Sequence, residues 1–182
     1  IQTYSPAAGT GLSSHELNLP GAYQEVKDTS MVAMFKVIPN EQSSFLFTTP
    51  DEDVRIMAWT TTPWTLLSNT ALTLGPNIQY AKVTTFNPYT AAPVSVILAK
   101  DLLHKWFTPE GETAPMQYAV HDKQLPYRIV GSYTGKELSG LRYEQLLPYG
   151  NPIEPLQDAT DAFRPITADF VTTEDGTGVV HT

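Results

Sequence analysis

Cysteine is absent from the 182 residues, which excludes disulfides and thiolate metal sites. The same absence fits a cytosolic, reducing location, and a cytoplasmic protein is the expectation. Basic residues are scarce. Eleven Lys and Arg stand against nineteen Asp and Glu, a formal net charge of −8. A chain so acidic lacks the general electrostatic footprint of a nucleic-acid binder, so any contact with RNA must be local. The plain meaning of the charge is a solvated acidic surface. No apolar run reaches the length of a membrane span, and no basic stretch followed by an apolar one opens the chain. Neither membrane nor DNA is an expected partner. The sequence holds no Gly-x-Ser-x-Gly, no phosphate loop and no His-Glu-x-x-His. His15, His104 and His121 are far apart and lack metal-ligand spacing, so no metal site is expected.

What is present reads as a folded domain. Hydrophobic residues make up 41% and charged residues 16%, a composition that buries a core at this length. The 15 prolines and 11 glycines are dispersed and cut the chain into short segments, which favours strands and turns. Strands are expected within Thr29–Ile38, around Phe45-Leu46-Phe47, and over Val54–Thr61, Ile78–Phe86 and Val94–Ala99. Further short strands are expected over Met116–His121, Tyr127–Val130, Tyr143–Leu147, Pro165–Thr172 and Val179–Thr182. Asp101 is placed to cap a short helix through Leu102, Leu103, Trp106 and Phe107. Gly131–Gly140 reads as turn-rich, and Asn151–Pro165 as a loop with a helical turn. The fold class is mainly β, a barrel-like or folded-over sheet with small peripheral helices. Residues 1–20, rich in Ser, Gly, Pro and Ala, read as a connecting arm, and 21–182 as the domain proper. A start at Ile1 without methionine reads as the cut edge of a longer chain.

Two segments carry chemistry. The first is Trp59-Thr60-Thr61-Thr62-Pro63-Trp64-Thr65, with Asn69 just beyond. Consecutive hydroxyls form a dense set of uncharged donors and acceptors, able to orient a small polar substrate or a water. Val54–Trp59 delivers them to a strand end, and Pro63, without an N–H, breaks the ladder there. A Thr-Thr pair alone would be an ordinary β-branched strand end; three in a row between tryptophans is less ordinary. The second segment is Asp175-Gly176-Thr177-Gly178-Val179-Val180-His181-Thr182. Its glycines allow backbone to approach a ligand, and His181 offers an imidazole of adjustable charge. Taken alone, Gly-Thr-Gly is a common turn. Asp51 and Asp53 belong to a solvated turn.

Together, the two segments resemble the editing domain inserted into class I isoleucyl-tRNA synthetases. The threonine segment with Asn69 resembles that family's threonine-rich region, and Gly176–His181 resembles the second motif of the same pocket. Gly135-Lys136-Glu137-Leu138-Ser139-Gly140-Leu141-Arg142-Tyr143-Glu144 adds to the likeness. So do Gly9–Ser13 and Val26-Lys27-Asp28, which resemble the entry from the synthetic core. Valyl and leucyl relatives carry Thr-Thr-Arg-Pro at the threonine region; Thr62 in the arginine position and Trp64 after Pro63 point to the isoleucyl branch. The family's second motif continues past the histidine to an aspartate that holds the substrate ammonium. The sequence reaches Thr182 before that position, so the domain is expected to be truncated on its C-terminal side.

The resemblance implies hydrolysis of the ester in valyl-tRNA(Ile) and rejection of isoleucyl-tRNA(Ile). Thr60, Thr61, Thr62 and Asn69 would carry the catalysis. Trp64, Thr65, His181, Gly176, Thr177 and Gly178 would bind the substrate, with His181 limiting side-chain size. Editing would use no cofactor; ATP and Mg belong to the parent synthetase's synthetic site. The partners implied are the 3′ end of tRNA(Ile) carrying valine and the remainder of the synthetase chain. The competing reading is a non-catalytic folded fragment, acting only as a binding or spacer module.

Overall fold

The structure is a computed structural model, and it describes residues 3–25, 27, 29–147 and 161–182. The chain opens with a small hairpin, β1 (Tyr4–Ser5) and β2 (Thr10–Gly11), then one helical turn, α1 (Ser14–Leu17). Ser13 and Glu16 form a reciprocal capping box at that turn, the arrangement that satisfies two orphan N–H groups of a helix start. None of the described residues up to Ser30 is buried.

The remaining strands are β3 (Met31–Lys36), β4 (Val54–Thr60), β5 (Ala71–Leu74), β6 (Gln79–Phe86), β7 (Pro93–Ala99), β8 (Arg128–Thr134), β9 (Arg164–Thr167) and β10 (Val179–His181). Five of them form the main sheet in the order β3-β4-β7-β6-β8. Its pairs are antiparallel except β4–β7, which is parallel. A second, three-stranded sheet has the order β10-β5-β9. The fold is mainly β with small helices, and among the described residues the sheets stay open rather than closing into a barrel.

Side-chain alternation along β4 divides the core in two. Val54, Ile56 and Ala58 face the second sheet and join Phe35, Ile97, Leu72, Leu74, Tyr80 and Val179. Met57 faces the other way and packs with Ala81, Val83, Val96 and Leu98 under Phe107 and Tyr127. Leu and Ile side chains buried this completely each contribute about 2 kcal/mol of transfer free energy. Phe107 and Tyr127 belong to the segment carrying the short helices α2 (Leu103–Trp106) and α3 (Pro109–Thr113).

Several elements differ from the sequence expectation. The Phe45-Leu46-Phe47 stretch is a tight 3-10 turn over Ser44–Leu46. There Asn40 Oδ1 accepts from the Ser43 N–H, and the Ser43 hydroxyl donates to the Ile38 carbonyl; such local bonds compete with a sheet ladder. Residues 116–121 form no strand. His121 takes a left-handed backbone, and Asp122 ties back to the Ala119 N–H. The 131–134 stretch, expected as turn, continues β8 instead, accommodated by an irregularity opposite Lys82 and Val83. A second capping box, Thr134 with Glu137, then starts α4 (Gly135–Leu138). The expected 143–147 strand shrinks to one bridge, Val37 with Tyr143, and the 165–172 strand ends at Thr167. β5, absent from the expectation, is the centre of the second sheet. Its four residues are too few for a periodic signal, and its partners lie far along the chain. Most of the loop expected over Asn151–Pro165 lies outside the described residues.

Candidate active site

The threonines sit where β4 ends. Pro63 opens a 3-10 turn over Pro63–Ser68, as its fixed φ and missing N–H favour at a helical start. Strand parity points Thr60 to the same side as Ala58, and it is only 5% exposed. β10 arrives beside it from the far end of the chain, in antiparallel register with β5 that sets His181 opposite Leu72. His181 Nε2 then lies 3.0 Å from Thr60 Oγ1 and 3.4 Å from Thr65 Oγ1. Thr62 Oγ1 closes the circuit, 3.3 Å from Thr60 Oγ1 and 3.2 Å from Thr65 Oγ1. The Thr62 N–H donates to Thr60 Oγ1 at 3.0 Å, and Thr65 Oγ1 donates to the Thr62 carbonyl at 2.6 Å. Burial holds the His181 pKa below its ordinary value, so the ring is neutral and one nitrogen can accept while the other donates.

Thr61 is exposed and lines the cleft beside this circuit. Trp64 is 65% exposed on the outside of the turn and does not line that cleft. Asn69 is buried and turned away from the hydroxyls. Its Nδ2 donates to the carbonyls of Ala71 (2.7 Å) and Thr182 (3.2 Å), and its Oδ1 accepts from the Tyr143 hydroxyl (2.8 Å). The geometry gives Asn69 a supporting role for the strand ends.

Gly176 and Gly178 both have left-handed backbones, φ 70° and 69°. A Cβ on Gly176 would lie 2.8 Å from Trp59 Cε3, and one on Gly178 would collide with Ala99 Cβ. Between them Thr177 turns inward. Its Oγ1 accepts from the Trp59 N–H at 3.3 Å, and its carbonyl accepts from the Ala99 N–H at 2.8 Å. Thr177 thus bolts the loop to the ends of β4 and β7, and Gly176 and Gly178 present backbone to the cleft. The loop is also held from α2. Trp106 Nε1 donates to the Gly176 carbonyl, and Lys105 Nζ reaches the Glu174 carbonyl and the Asp175 carboxylate. The hydrogen bond from Lys105 is the main reason the Asp175 carboxyl sits below its ordinary pKa.

These groups bound a cleft of about 350 Å³, lined by Thr60, Thr61, Gly176, Gly178, His181 and Phe170 among others. A larger groove of about 660 Å³ lies on the far side of Trp59, lined by Met31, Met57, Trp106 and Phe107. No His, Asp, Glu, Lys or Arg lines that groove, whereas the smaller cleft gathers His181 and the Thr60 hydroxyl at hydrogen-bond distance. Among the described residues no group of His, Asp and Glu is gathered to hold a metal ion, and no helix is long and apolar enough to cross a membrane. The supports Tyr80, Lys105, Trp106 and Tyr143 were not foreseen from sequence. A tyrosine in a strand or an isolated lysine carries no local sign of its distant partner.

No family model matches the chain. Solved structures similar to it identify the fold. The CP1 domain of GlLeuRS superposes with a TM-score of 0.57 at 14% identity, covering 85% of this chain and 54% of that one. The cytosolic leucyl-tRNA synthetase editing domain of P. knowlesi superposes at 0.56 and 14% identity, covering 84% and 55%. The fold is therefore that of an aminoacyl-tRNA synthetase editing domain. Sequence narrows it further. The chain is 56% identical over its whole length to isoleucine–tRNA ligase of Porphyromonas gingivalis and 54% to that of Cytophaga hutchinsonii. Similarity persists at 36% to the Treponema denticola enzyme. The chain belongs to the isoleucine–tRNA ligase family, carries the fold of the editing domains above, and spans about 15% of the length of the curated relatives it matches.

Proposed function

We propose that the cleft between Thr60 and His181 hydrolyses the ester of valyl-tRNA(Ile) and rejects isoleucyl-tRNA(Ile), working within a full synthetase on the 3′ end of its tRNA. The supporting observation is the closed circuit of Thr60, Thr62, Thr65 and His181, which joins two segments 121 positions apart. Valine and isoleucine differ by one methylene, the standard example of a difference that a single binding pocket discriminates too weakly, so a second site must admit the smaller product.

The aminoacyl ester is already activated. Water adds to its carbonyl, the C–O bond to the ribose breaks, and free valine and a tRNA hydroxyl result. Positioning that water and steadying the developing oxyanion are tasks suited to fixed hydroxyl and backbone donors. The Thr60 hydroxyl, held against His181 and backed by Thr62, orients the water and the acyl group. His181 serves as a wall and a hydrogen-bonding partner, and its neutral ring approaches the apolar side chain without a charge to desolvate. Asn69 keeps the two strand ends in register.

His181→Ala in the full synthetase tests this. Hydrolysis of correctly charged isoleucyl-tRNA(Ile) should rise by on the order of tenfold, the scale associated with one methylene in a pocket. Unchanged discrimination would remove His181 from the size limit.

A further inference from the structure

The strand that carries His181 is only three residues long, too short to hold its own position by ladder bonds alone. Both of its ends are tied to buried tyrosine hydroxyls. At the entry, Tyr80 Oη donates to the Gly178 carbonyl at 2.7 Å and accepts from the Gly75 N–H at 2.9 Å. At the exit, Tyr143 Oη donates to Asn69 Oδ1 at 2.8 Å, which leaves Asn69 Nδ2 to donate to the Thr182 and Ala71 carbonyls. Both tyrosines are among the most completely buried large side chains. Burial pushes the Tyr80 pKa up to about 12 and the Tyr143 pKa higher still, so each hydroxyl keeps its proton and remains a donor.

The surroundings fix the two tyrosines themselves. Tyr80 lies near the start of β6, an interior strand of the main sheet, paired on both sides, with Ala99 and with Tyr133. Tyr143 packs edge-on to Phe35 and to Phe163, with ring centroids 5.2 and 6.1 Å away. Its N–H donates to the Phe163 carbonyl, and the Phe163 N–H donates to the Thr70 carbonyl beside Asn69. Phe163 holds a left-handed backbone, φ 59°, a conformation a phenylalanine keeps only where its surroundings over-determine it. The exit end of β10 is thus referenced to the edge of the main sheet beside β3, and the entry end to the interior strand β6.

We infer that Tyr80 and Tyr143 are positioning residues that set the size limit of the cleft, by fixing both ends of the strand that places His181 against Thr60. The inference rests on the editing reading above and deepens it. Neither hydroxyl lines the cleft, so neither touches substrate. Their effect passes through the Gly178 carbonyl and through Asn69. Loss of either hydroxyl frees one end of β10, and the imidazole then yields to the larger side chain.

The direction of the effect separates positioning from simple damage. A destabilised domain loses activity on every substrate. A displaced His181 instead raises hydrolysis of the larger one. Tyr80→Phe and Tyr143→Phe are made in the full synthetase, with Thr85→Val as control. Thr85 Oγ1 donates to the Pro126 carbonyl and is also buried, but Thr85 lines the groove beyond Trp59 and not the cleft beside β10. Hydrolysis rates of purified valyl-tRNA(Ile) and isoleucyl-tRNA(Ile) are compared, with His181→Ala as reference. Each tyrosine variant should raise the isoleucyl-to-valyl rate ratio by roughly three- to tenfold, the scale of one hydrogen bond. Thr85→Val should leave that ratio unchanged. A leak from His181→Ala with none from either tyrosine variant overturns the inference and leaves the editing reading standing. An equal leak from Thr85→Val also overturns it, because general loosening would then suffice. No leak from His181→Ala overturns the editing reading and the inference with it.

Discussion

The two ends of β4 are built from opposite chemistry. At its start, Lys82 Nζ lies 2.6 Å from the Glu52 carboxylate and 2.6 Å from the Leu46 carbonyl, almost wholly buried. Glu52 also accepts from the Ser95 hydroxyl and the Thr48 N–H. Burial by itself would raise the Glu52 pKa, and the bonds from Lys82, Ser95 and Thr48 with the Lys82 charge outweigh it and hold it low. Asp53 and Arg55 add a second pair beside it. At the other end stand Thr60, Thr62, Thr65 and a neutral His181, with no formal charge in the circuit. The difference is instructive. The ion pairs direct their charges at one another and at neighbouring carbonyl, hydroxyl and N–H groups, and so fix geometry. Hydroxyls and a neutral imidazole each keep a spare donor or acceptor, so the Thr60–His181 end is the one suited to a ligand.

Variants at the two ends should separate stability from selectivity. Lys82→Met removes the buried cation that pairs with the half-buried Glu52 carboxylate, and should cost about 3 kcal/mol in urea unfolding. It should leave the valine-against-isoleucine ratio alone; a changed ratio would erase the division between the two ends. Gly178→Ala meets Ala99 and a left-handed backbone, and should cost about 2 kcal/mol. Unlike Lys82→Met, it should also abolish hydrolysis of valyl-tRNA(Ile), seen as mischarged tRNA accumulating in the full synthetase. Thr60→Val keeps shape and removes the hydroxyl between His181 and Thr62. About 1 kcal/mol of stability should go, with hydrolysis falling on the order of a hundredfold, as for loss of one preorganised donor; a rate near the parent's would take Thr60 out of the mechanism.

The two ends should also titrate apart. His181 is depressed below 6.5, so unfolded chains bind its proton first as pH falls. Its contribution to stability is complete above about 6.5 and is lost as pH drops through the lower folded value. Glu52 has the same sign in a more acid window: its contribution is complete above 4.5 and falls away below. As pH falls, hydrolysis should therefore fail before the fold does, and His181→Gln should flatten the acid limb of the rate profile. Coincident loss of rate and fold would contradict the division. The smallest effect is expected from Arg55→Ala. Its pair with Asp53 is about a third exposed, so the loss should be under about 1 kcal/mol with selectivity intact.

Much of the frame was legible in the residues. β3, β4, β6 and β7 follow from apolar, β-branched runs, and the observed bounds lie within or close to the expected ones. The place of Thr60 at the end of β4 follows from strand parity and from Pro63. What could not be read is whatever depends on distant partners. Ala71–Leu74 is a strand because β9 and β10 flank it. Phe45-Leu46-Phe47 looks like a strand but turns, because Ser43 and Asn40 offer the backbone nearer partners. Asn69 was expected to share the catalysis with the threonines, but the structure turns its amide to Tyr143, Ala71 and Thr182 instead.

By itself, then, the sequence determined the chemical character of this domain: an acidic, cysteine-free, mainly β chain with uncharged hydroxyls massed at one strand end and a glycine-flanked histidine strand far away. Local sterics and alternation decide such things within a few residues, and they need no partner. Only the tertiary structure decided that Thr60 and His181 meet at 3.0 Å, with β5 as the template between and two buried tyrosines anchoring the ends. Those contacts join residues far apart in the chain, and their strength comes from excluding water around them, a condition that exists only once the sheets have packed.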